Sequence, residues 1–119
     1  LVACDMPFVN LQLVRWMLSL AEVSRHVVPR MAPGLEPLHA LYHRRCMPDL
    51  LDALAQGRRR IVSFYEGLDV RYLDELEIPT GDSWRCSFFN INTPDDLRHA
   101  EAFLAGGGLG PCHGVESSA

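Results

Sequence analysis

Short apolar runs alternate with amphipathic segments along this 119-residue chain, and that alternation constrains its fold more than any other feature. Residues 1–4 are continuously apolar and stop at Asp5 and Pro7, as expected of a strand buried on both faces of a parallel sheet. Asn10 can cap a helix that follows, because its side chain can accept from backbone N–H groups of the first turn. The inner face of that helix is predicted to contain Leu11, Val14, Leu18 and Ala21, widened by Leu13, Met17 and Leu20. A strand followed by a helix is half of a βαβ unit.

The rest of the chain continues this alternation. Strands are predicted at residues 26–29, 38–42, 70–73 and 87–91. Helices are predicted at residues 48–57 and 60–66, and loops at residues 31–37 and 74–85. A last helix starts at Thr93 and Pro94, with two acids at the positive end of its dipole and an inner stripe of Leu97, Ala100 and Leu104. The predicted class is α/β, with a mainly parallel sheet, flanking helices and room for one antiparallel strand.

The length predicts one domain, which we place at residues 1–104. Residues 105–119 are Gly-rich at first and offer nothing periodic to bury, so a disordered tail is expected. The chain opens with Leu1, inside an apolar run, and not with Met. We therefore expect a fragment or a processed product.

Charge and cysteine content exclude several functions. A formal net charge of -4 argues against a broad nucleic-acid surface, which needs a positive field. Every basic residue is Arg, so Schiff-base chemistry and a phosphate-loop Lys are excluded. The 4 cysteines form no C-x-x-C pair, which favours a reducing compartment. The sequence has no apolar stretch of the ~20 residues that cross a bilayer and no secretion signal, so a soluble cytoplasmic protein is predicted.

Asp5 follows the first predicted strand, at the end where open α/β sheets bind ligands. A lone carboxylate there, with Pro7 fixing the turn, suits a Mg²⁺ ion that also contacts substrate phosphates. The alternative, given equal weight, is a carboxylate that only caps the loop amides before the helix.

Asn90 and Asn92 flank Ile91 at the end of the last predicted strand. Alternation puts both side-chain amides on one side of the chain, where they could read the edge of a heterocycle. The alternative is that both serve the turn from strand to helix. We expect Asp5 to lie beside these two amides in one cleft.

Residues 58–60 are three consecutive Arg that could clamp a phosphate, although a helix C-terminus favours basic residues without any ligand. The 5 histidines lack zinc-site spacing, and no serine lies in a G-x-S-x-G elbow. Neither a zinc site nor serine hydrolysis is predicted.

Four segments resemble the family of molybdenum cofactor guanylyltransferases, nucleotidyltransferases of the MobA-like type. They read Ala-Cys-Asp-Met-Pro-Phe at residues 3–8, Glu-Pro-Leu-His-Ala-Leu-Tyr at 36–42, Gly-Arg-Arg-Arg at 57–60 and Phe-Asn-Ile-Asn-Thr-Pro-Asp-Asp-Leu at 89–97. They occur in the family's order and cover the chain to about residue 104. Residues 36–42 resemble the guanylyl enzymes more than their cytidylyl relatives.

The resemblance implies a Rossmann-like nucleotidyltransferase fold that transfers GMP from GTP to molybdopterin with Mg²⁺ as cofactor. By the same resemblance, Asp5 is the Mg²⁺ ligand, Asn90 and Asn92 line the molybdopterin side, and Arg60 lies near the acceptor phosphate. The family's Gly-rich, Lys-containing nucleotide loop does not occur in this sequence. The fold is therefore expected to be incomplete, and the chain alone inactive.

Two other functions stay open. One is a non-catalytic module that holds molybdopterin or complements a partner chain, and the other is a related nucleotidyltransferase with a different acceptor. Uncovered sheet edges predict poor solubility, a homodimer or pairing with a complementing N-terminal segment.

Overall fold

A computed structural model describes residues 1–21, 26–79 and 82–106. Its helices and strands are, in chain order, α1 (Leu11–Ala21), β1 (His26–Met31), β2 (Gly34–Leu35), β3 (Leu41–Tyr42), α2 (Met47–Ala55), β4 (Val70–Asp74) and α3 (Pro94–Gly106). Short 3-10 helices occupy Arg44–Cys46, Ile61–Phe64, Glu75–Glu77 and Asp82–Phe88. This mixture agrees with the predicted α/β class. None of the helices within the described ranges is long and apolar enough to cross a membrane.

Two compact units make up the chain. The sheet unit consists of Leu1–Val2 and Val14–Pro79, and the loop unit consists of Ala3–Leu13 together with, in the described chain, residues 82–106. Helix α1 begins in the loop unit and continues into the sheet unit. A single domain over residues 1–104 stays a prediction. The tail predicted at residues 105–119 is wrong for Ala105 and Gly106, which belong to α3, and residues 107–119 lie outside the described residues.

Strand β1 is the centre of the sheet. It pairs in parallel with β4 over five residue pairs, from His26 with Val70 to Arg30 with Asp74. It pairs antiparallel with β2 at one end and with β3 at the other. One of the three strand pairings in the described part of the chain is therefore parallel, so the structure does not show a mainly parallel sheet.

The expected strand at residues 1–4 is reduced to a single antiparallel bridge between Val2 and His39. Two backbone bonds support the bridge, from the Leu1 amine to the Ala40 carbonyl at 2.9 Å and from the Ala40 N–H to the Leu1 carbonyl at 3.1 Å. Leu1 is 62% exposed, so the prediction of a strand buried on both faces was wrong. An apolar run becomes a buried strand only where neighbouring segments cover both of its faces.

The core of the sheet unit forms around β1. Val27 and Val28 point to opposite faces of the strand and are both fully buried, so the sheet is covered on both sides here. Val28 packs in a cluster with Ala40, Ala53, Phe64 and Tyr65. Residues 26–29 are the strand expected from sequence, extended by two residues. The predicted loop at 31–37 contains β2, and the predicted helix at 60–66 is a 3-10 helix at Ile61–Phe64.

Helix α2 begins and ends as its sequence predicts. A Pro stands in its first turn, and Gly57 follows its last turn with φ +76°. The Gly57 N–H donates to the Leu54 carbonyl at 3.0 Å and the Arg58 N–H to the Ala53 carbonyl at 2.9 Å. These two bonds form a Schellman motif, which requires the left-handed conformation that glycine adopts at little cost.

The loop unit contains no strand in its described residues. The strand predicted at 87–91 was wrong, because the 3-10 helix Asp82–Phe88 covers its start and its end has no ladder partner. An aromatic group packs this unit: the Phe8 ring lies 6.0 Å from that of Phe89 and, edge to face, 5.1 Å from that of Phe103. Such rings contribute to stability beyond the apolar area that they bury.

The two amphipathic helices bury only some of the residues predicted. In α1, Leu13 and Met17 are buried, whereas Leu11 is 67% and Leu18 is 53% exposed. In α3, only Ala100 of the predicted inner stripe is buried. Apolar side chains occur on more than one face of α1, so helical spacing alone could not identify the face that packs.

Candidate functional site

Asp5 and the segment from Asn90 to Thr93 are neighbours in the loop unit. The Ile91 N–H donates to the Asp5 backbone carbonyl at 2.9 Å, although the two residues are 86 positions apart. Ile91 stands between Asn90 and Asn92, the two predicted acceptor-binding residues. The bond therefore places the backbone of Asp5, the predicted metal ligand, next to the backbone of this segment. We call residues Asn90 to Thr93 the amide loop.

The Asp5 carboxylate has no hydrogen bond to any described residue. Its Oδ1 atom is shielded from solvent and has no partner. The N-terminus of α1 is capped instead by Asn10, whose Oδ1 accepts from the Leu13 N–H at 2.9 Å. The alternative role for Asp5, capping the amides before this helix, therefore finds no support in the described contacts. A buried polar atom without a partner is costly, so its neutralisation by a ligand is favourable.

The backbone of the amide loop is held by residues other than its asparagines. Asp96 Oδ2 accepts from the Asn92 N–H at 3.0 Å and from the Thr93 N–H at 2.9 Å. Thr93 Oγ1 accepts in turn from the Asp96 N–H at 3.1 Å, which makes a reciprocal cap at the start of α3. These hydrogen bonds lower the pKa of the Asp96 carboxyl from its ordinary value. The bond from the Asn92 N–H has the largest effect, followed by those from the Thr93 hydroxyl and N–H.

The side-chain amides of Asn90 and Asn92 make no hydrogen bond among residues 1–21, 26–79 and 82–106. Asn90 is half-buried and Asn92 is exposed. The alternative that both asparagines serve the turn into α3 is therefore not supported, because Thr93 and Asp96 make the side-chain hydrogen bonds of that turn. Two unpaired amides, each with donors and an acceptor, are available to a ligand.

Ser87 and Asp96 are site-supporting residues that the sequence analysis did not identify. The Ser87 side chain is fully buried, and its Oγ accepts from the Asn10 N–H at 2.9 Å, so it holds the start of α1. No sequence signal marks Ser87. Asp96 could have been found from the Thr-x-x-acid spacing of a capping box, which was interpreted only as a favourable interaction with the helix dipole.

Arg60 lies in the sheet unit and belongs to the exposed Arg-rich turn after α2. Arg58 Nη1 donates to the Ser63 carbonyl at 2.8 Å, whereas Arg59 and Arg60 have no side-chain partner in the described part of the protein. The Arg60 carbonyl accepts from the Ser63 N–H at 2.9 Å, which begins the following 3-10 helix. An unpaired guanidinium on a backbone fixed in this way can bind a phosphate by donating hydrogen bonds to its oxygens.

The segment at residues 36–42, part of the family resemblance, is held firmly in the sheet unit. The Tyr42 hydroxyl donates to the Pro37 carbonyl at 2.7 Å and lies 2.5 Å from the Tyr65 hydroxyl. Since the Tyr42 hydrogen is used for Pro37, Tyr65 is the donor to Tyr42. His39 is 1% exposed, and its burial lowers the pKa of the imidazole. His39 is thus a core histidine.

No group of three or more metal-binding side chains occurs among the described residues, which leaves Asp5 as a lone candidate. The sheet unit also contains a cavity of about 330 Å³, lined mainly by apolar side chains that include Leu50, Ile61 and Phe64. None of the predicted site residues lines this cavity.

Open α/β sheets commonly bind ligands where loops meet helix N-termini, and here the Asp5 backbone adjoins such a loop at the start of α3. A comparison with known families narrows this class. The chain belongs to the MobA-like NTP transferase domain family, whose model matches residues 1–71.

Several relatives are about one-third identical to this chain. It is 35% identical over 96 residues to a probable molybdenum cofactor guanylyltransferase of Pelotomaculum thermopropionicum, covering 81% of this chain and 47% of the relative. It is 37% identical over 106 residues to the molybdenum cofactor guanylyltransferase of Desulfosudis oleivorans, covering 88% of this chain and 52% of the relative. The chain thus spans about half the length of these relatives.

A solved structure has a similar fold. The molybdopterin-guanine dinucleotide biosynthesis protein A from Archaeoglobus fulgidus superposes with a TM-score of 0.76 at 34% identity. The match covers 88% of this chain and 54% of that one. The family identified from the four sequence segments is therefore confirmed.

Proposed function

We propose that this chain provides the acceptor side of a guanylyltransferase that transfers GMP from GTP to molybdopterin. The relatives that carry this name, at 35% and 37% identity, support the reaction. The observation that carries the assignment to this chain is the bond from the Ile91 N–H to the Asp5 carbonyl, with unpaired amides on either side of Ile91. In the whole enzyme, the parallel β1–β4 pair would belong to a Rossmann-like sheet.

Asp5 is proposed to hold a Mg²⁺ ion. Its carboxylate fits a hard cation because one oxygen is buried and neither has a partner among the described residues. Mg²⁺ usually takes only one or two protein carboxylates and completes its shell with water and substrate phosphates, so a lone Asp is sufficient. Bound there, the ion would neutralise charge on the reacting phosphates.

Asn90 and Asn92 are proposed to bind molybdopterin. Each side-chain amide offers two donors and one acceptor, which matches the mixed donor and acceptor edge of a pterin. Arg60 is proposed to bind the phosphate of the acceptor, since its guanidinium is exposed and unpaired within the described chain.

The reaction proposed is attack by a phosphate oxygen of molybdopterin on the α-phosphorus of GTP. A new P–O–P bond forms, the bond to the β-phosphate breaks, and pyrophosphate leaves. The sequence contains neither Lys nor a Gly-rich phosphate loop, so groups from a complementing segment would have to hold the GTP phosphates. We therefore propose that the 119 residues alone bind the acceptor but do not transfer GMP.

Titration of the chain with molybdopterin tests this proposal. Asn90→Ala and Asn92→Ala should each weaken binding by on the order of tenfold, because each removes a buried or partly buried ligand hydrogen bond. Gln56→Ala is the matched control, since it removes an exposed amide from the sheet unit. Equal affinity in the wild-type chain and all three variants would contradict the acceptor-binding role.

A second candidate function is a binding module without catalysis, because the unpaired side-chain amides of Asn90 and Asn92 could hold molybdopterin without any catalytic group. Transfer of labelled GMP distinguishes the two. The assay uses this chain mixed with the nucleotide-binding half of the Desulfosudis oleivorans relative. Mg²⁺-dependent transfer that Asp5→Asn reduces by roughly 10²-fold supports the enzyme role. Binding of molybdopterin with no transfer under these conditions supports the module.

A further inference from the structure

Three consecutive backbone amides of the amide loop donate to fixed acceptors. The Ile91 N–H donates to the Asp5 carbonyl at 2.9 Å. The next two, those of Asn92 and Thr93, both donate to Asp96 Oδ2, at 3.0 and 2.9 Å. The loop is thus held from two sides, by the predicted metal-binding segment and by a carboxylate in the first turn of α3.

Asp96 does more than cap its helix. In a capping box the third residue of the helix reaches back to the N-cap amide, which here is that of Thr93. The same oxygen, Asp96 Oδ2, also accepts a hydrogen bond from the backbone N–H of Asn92, one residue before Thr93. A charged acceptor makes stronger hydrogen bonds than a neutral one, so this bifurcated contact restrains the backbone that carries the Asn92 side chain.

The two side chains at issue have no other restraint from hydrogen bonds. Asn90 and Asn92 make no side-chain hydrogen bond among residues 1–21, 26–79 and 82–106. The backbone of the loop therefore sets the positions from which both side chains extend toward a ligand. A positional error of about 1 Å in a binding group can cost a large part of its effect.

We propose that Asp96 is a positioning residue for acceptor binding: by holding the Asn92 and Thr93 amides it keeps the loop backbone in the position from which Asn90 and Asn92 reach the acceptor. This inference rests on the proposed function, because it takes molybdopterin as the ligand of the two amides. It adds a residue that touches no ligand itself and acts through the loop.

Asp95 provides a matched control in the same helix turn. Its carboxylate pairs with Arg98 and accepts no amide of the loop. Asp95→Ala and Asp96→Ala both remove one acid from the positive end of the α3 dipole, so the loss of the favourable dipole interaction should affect both alike. Asp96→Asn keeps an oxygen that can accept both amides and serves as the conservative variant.

Molybdopterin titration of the full chain gives the first readout. Asp96→Ala should bind on the order of tenfold more weakly than the wild type. Asp96→Asn should recover most of that loss, and Asp95→Ala should bind as the wild type does. Wild-type affinity in Asp96→Ala, or an equal loss in Asp95→Ala, overturns the proposal.

Amide hydrogen exchange by NMR gives a second readout that needs no ligand. In Asp96→Ala the Asn92 and Thr93 amides should exchange at least tenfold faster, and the Ile91 amide should also exchange faster although its acceptor is unchanged. An unaltered exchange rate of the Ile91 amide would show that Asp96 only caps α3, and it would overturn the proposal. If the wild-type chain binds no molybdopterin, the proposed function fails, and the Ile91 rate alone decides whether Asp96 positions the loop.

Discussion

At the scale of single residues, the proposed ligand sites lie where folding leaves polar atoms unpaired in the described chain. The Asp5 carboxylate and the amides of Asn90 and Asn92 have no hydrogen-bond partner in the described chain, while Asn10, Thr93 and Asp96 complete the local caps. Burial of an unpaired oxygen costs free energy that only a ligand, a charge or a proton recovers. The proposed Mg²⁺ site and acceptor site follow from that imbalance.

Glu77 provides a prediction about pH. Its carboxylate accepts from Arg71 and from the Asp74 N–H at 2.9 Å, and these bonds, that of Arg71 first, lower its pKa from 4.5 to about 2. A depressed pKa stabilises the fold above the unfolded value, and this contribution is lost as the pH falls from about 4.5 to about 2. Both side chains are more than one-third exposed, so the effect on stability is small.

An NMR titration of the Glu77 carboxyl should give this low pKa directly. Arg71→Gln should raise the Glu77 pKa toward its ordinary value, because it removes the charged donor. Glu66→Gln, which removes an exposed carboxylate of the same unit, should not change it. A Glu77 pKa near 4.5 in the wild type would show that the ion pair does not form in solution.

At the scale of elements, the caps are the part that local sequence predicts well. Pro in the first turn of α2, Gly57 after its end and Thr93 before α3 all take the expected roles, since each depends on contacts within about four residues. Strands were predicted less well. The segment predicted as a strand at 87–91 is the end of a 3-10 helix followed by residues without regular structure, because a strand needs a partner that its own sequence cannot supply.

Two glycines at helix ends should respond oppositely to alanine. Gly57 has φ +76°, so Gly57→Ala should lower the free energy of unfolding by about 1 kcal/mol through backbone strain alone. No atom lies within 4 Å of the added methyl group, which excludes a steric cause. Gly106 is the last residue of α3 and has no positive φ, so Gly106→Ala should keep or slightly raise stability.

Urea unfolding of the two alanine variants measures this difference. The slope of free energy against urea should stay constant in both, since neither change alters the buried surface much. A Gly57→Ala variant as stable as the wild type would mean that the Schellman motif is absent in solution.

At the scale of the whole chain, one face of helix α2 exposes several large apolar side chains to solvent. Met47, Leu51 and Leu54 recur at helical spacing on one face of α2 and are 47%, 58% and 50% exposed. Contiguous apolar patches on soluble proteins usually mark contact with another chain. The homodimer or complementing segment expected from the sequence therefore remains our prediction, with this face of α2 as a contact region.

Sedimentation velocity over a range of protein concentrations tests self-association. The wild-type chain should associate as concentration rises, and Leu51→Lys combined with Leu54→Lys should reduce association by removing the apolar face. Leu76→Lys is the control, because Leu76 is 98% exposed and lies outside α2. A monomer at every concentration, or an equal effect of the control, would refute the role of this face.

The sequence by itself determined the α/β class, the family, the caps of its helices and the residue types of the site. These depend on local conformational preferences and on short segments such as Asn90 to Thr93, which act within a few residues. Only the tertiary structure decided that β1 has two antiparallel neighbours, that Leu13 and Met17 are the buried residues of α1, and that the Asp5 carboxylate has no partner in the described chain. Strand direction, buried faces and unpaired atoms all depend on which distant segment supplies the partner, and no local pattern encodes that choice.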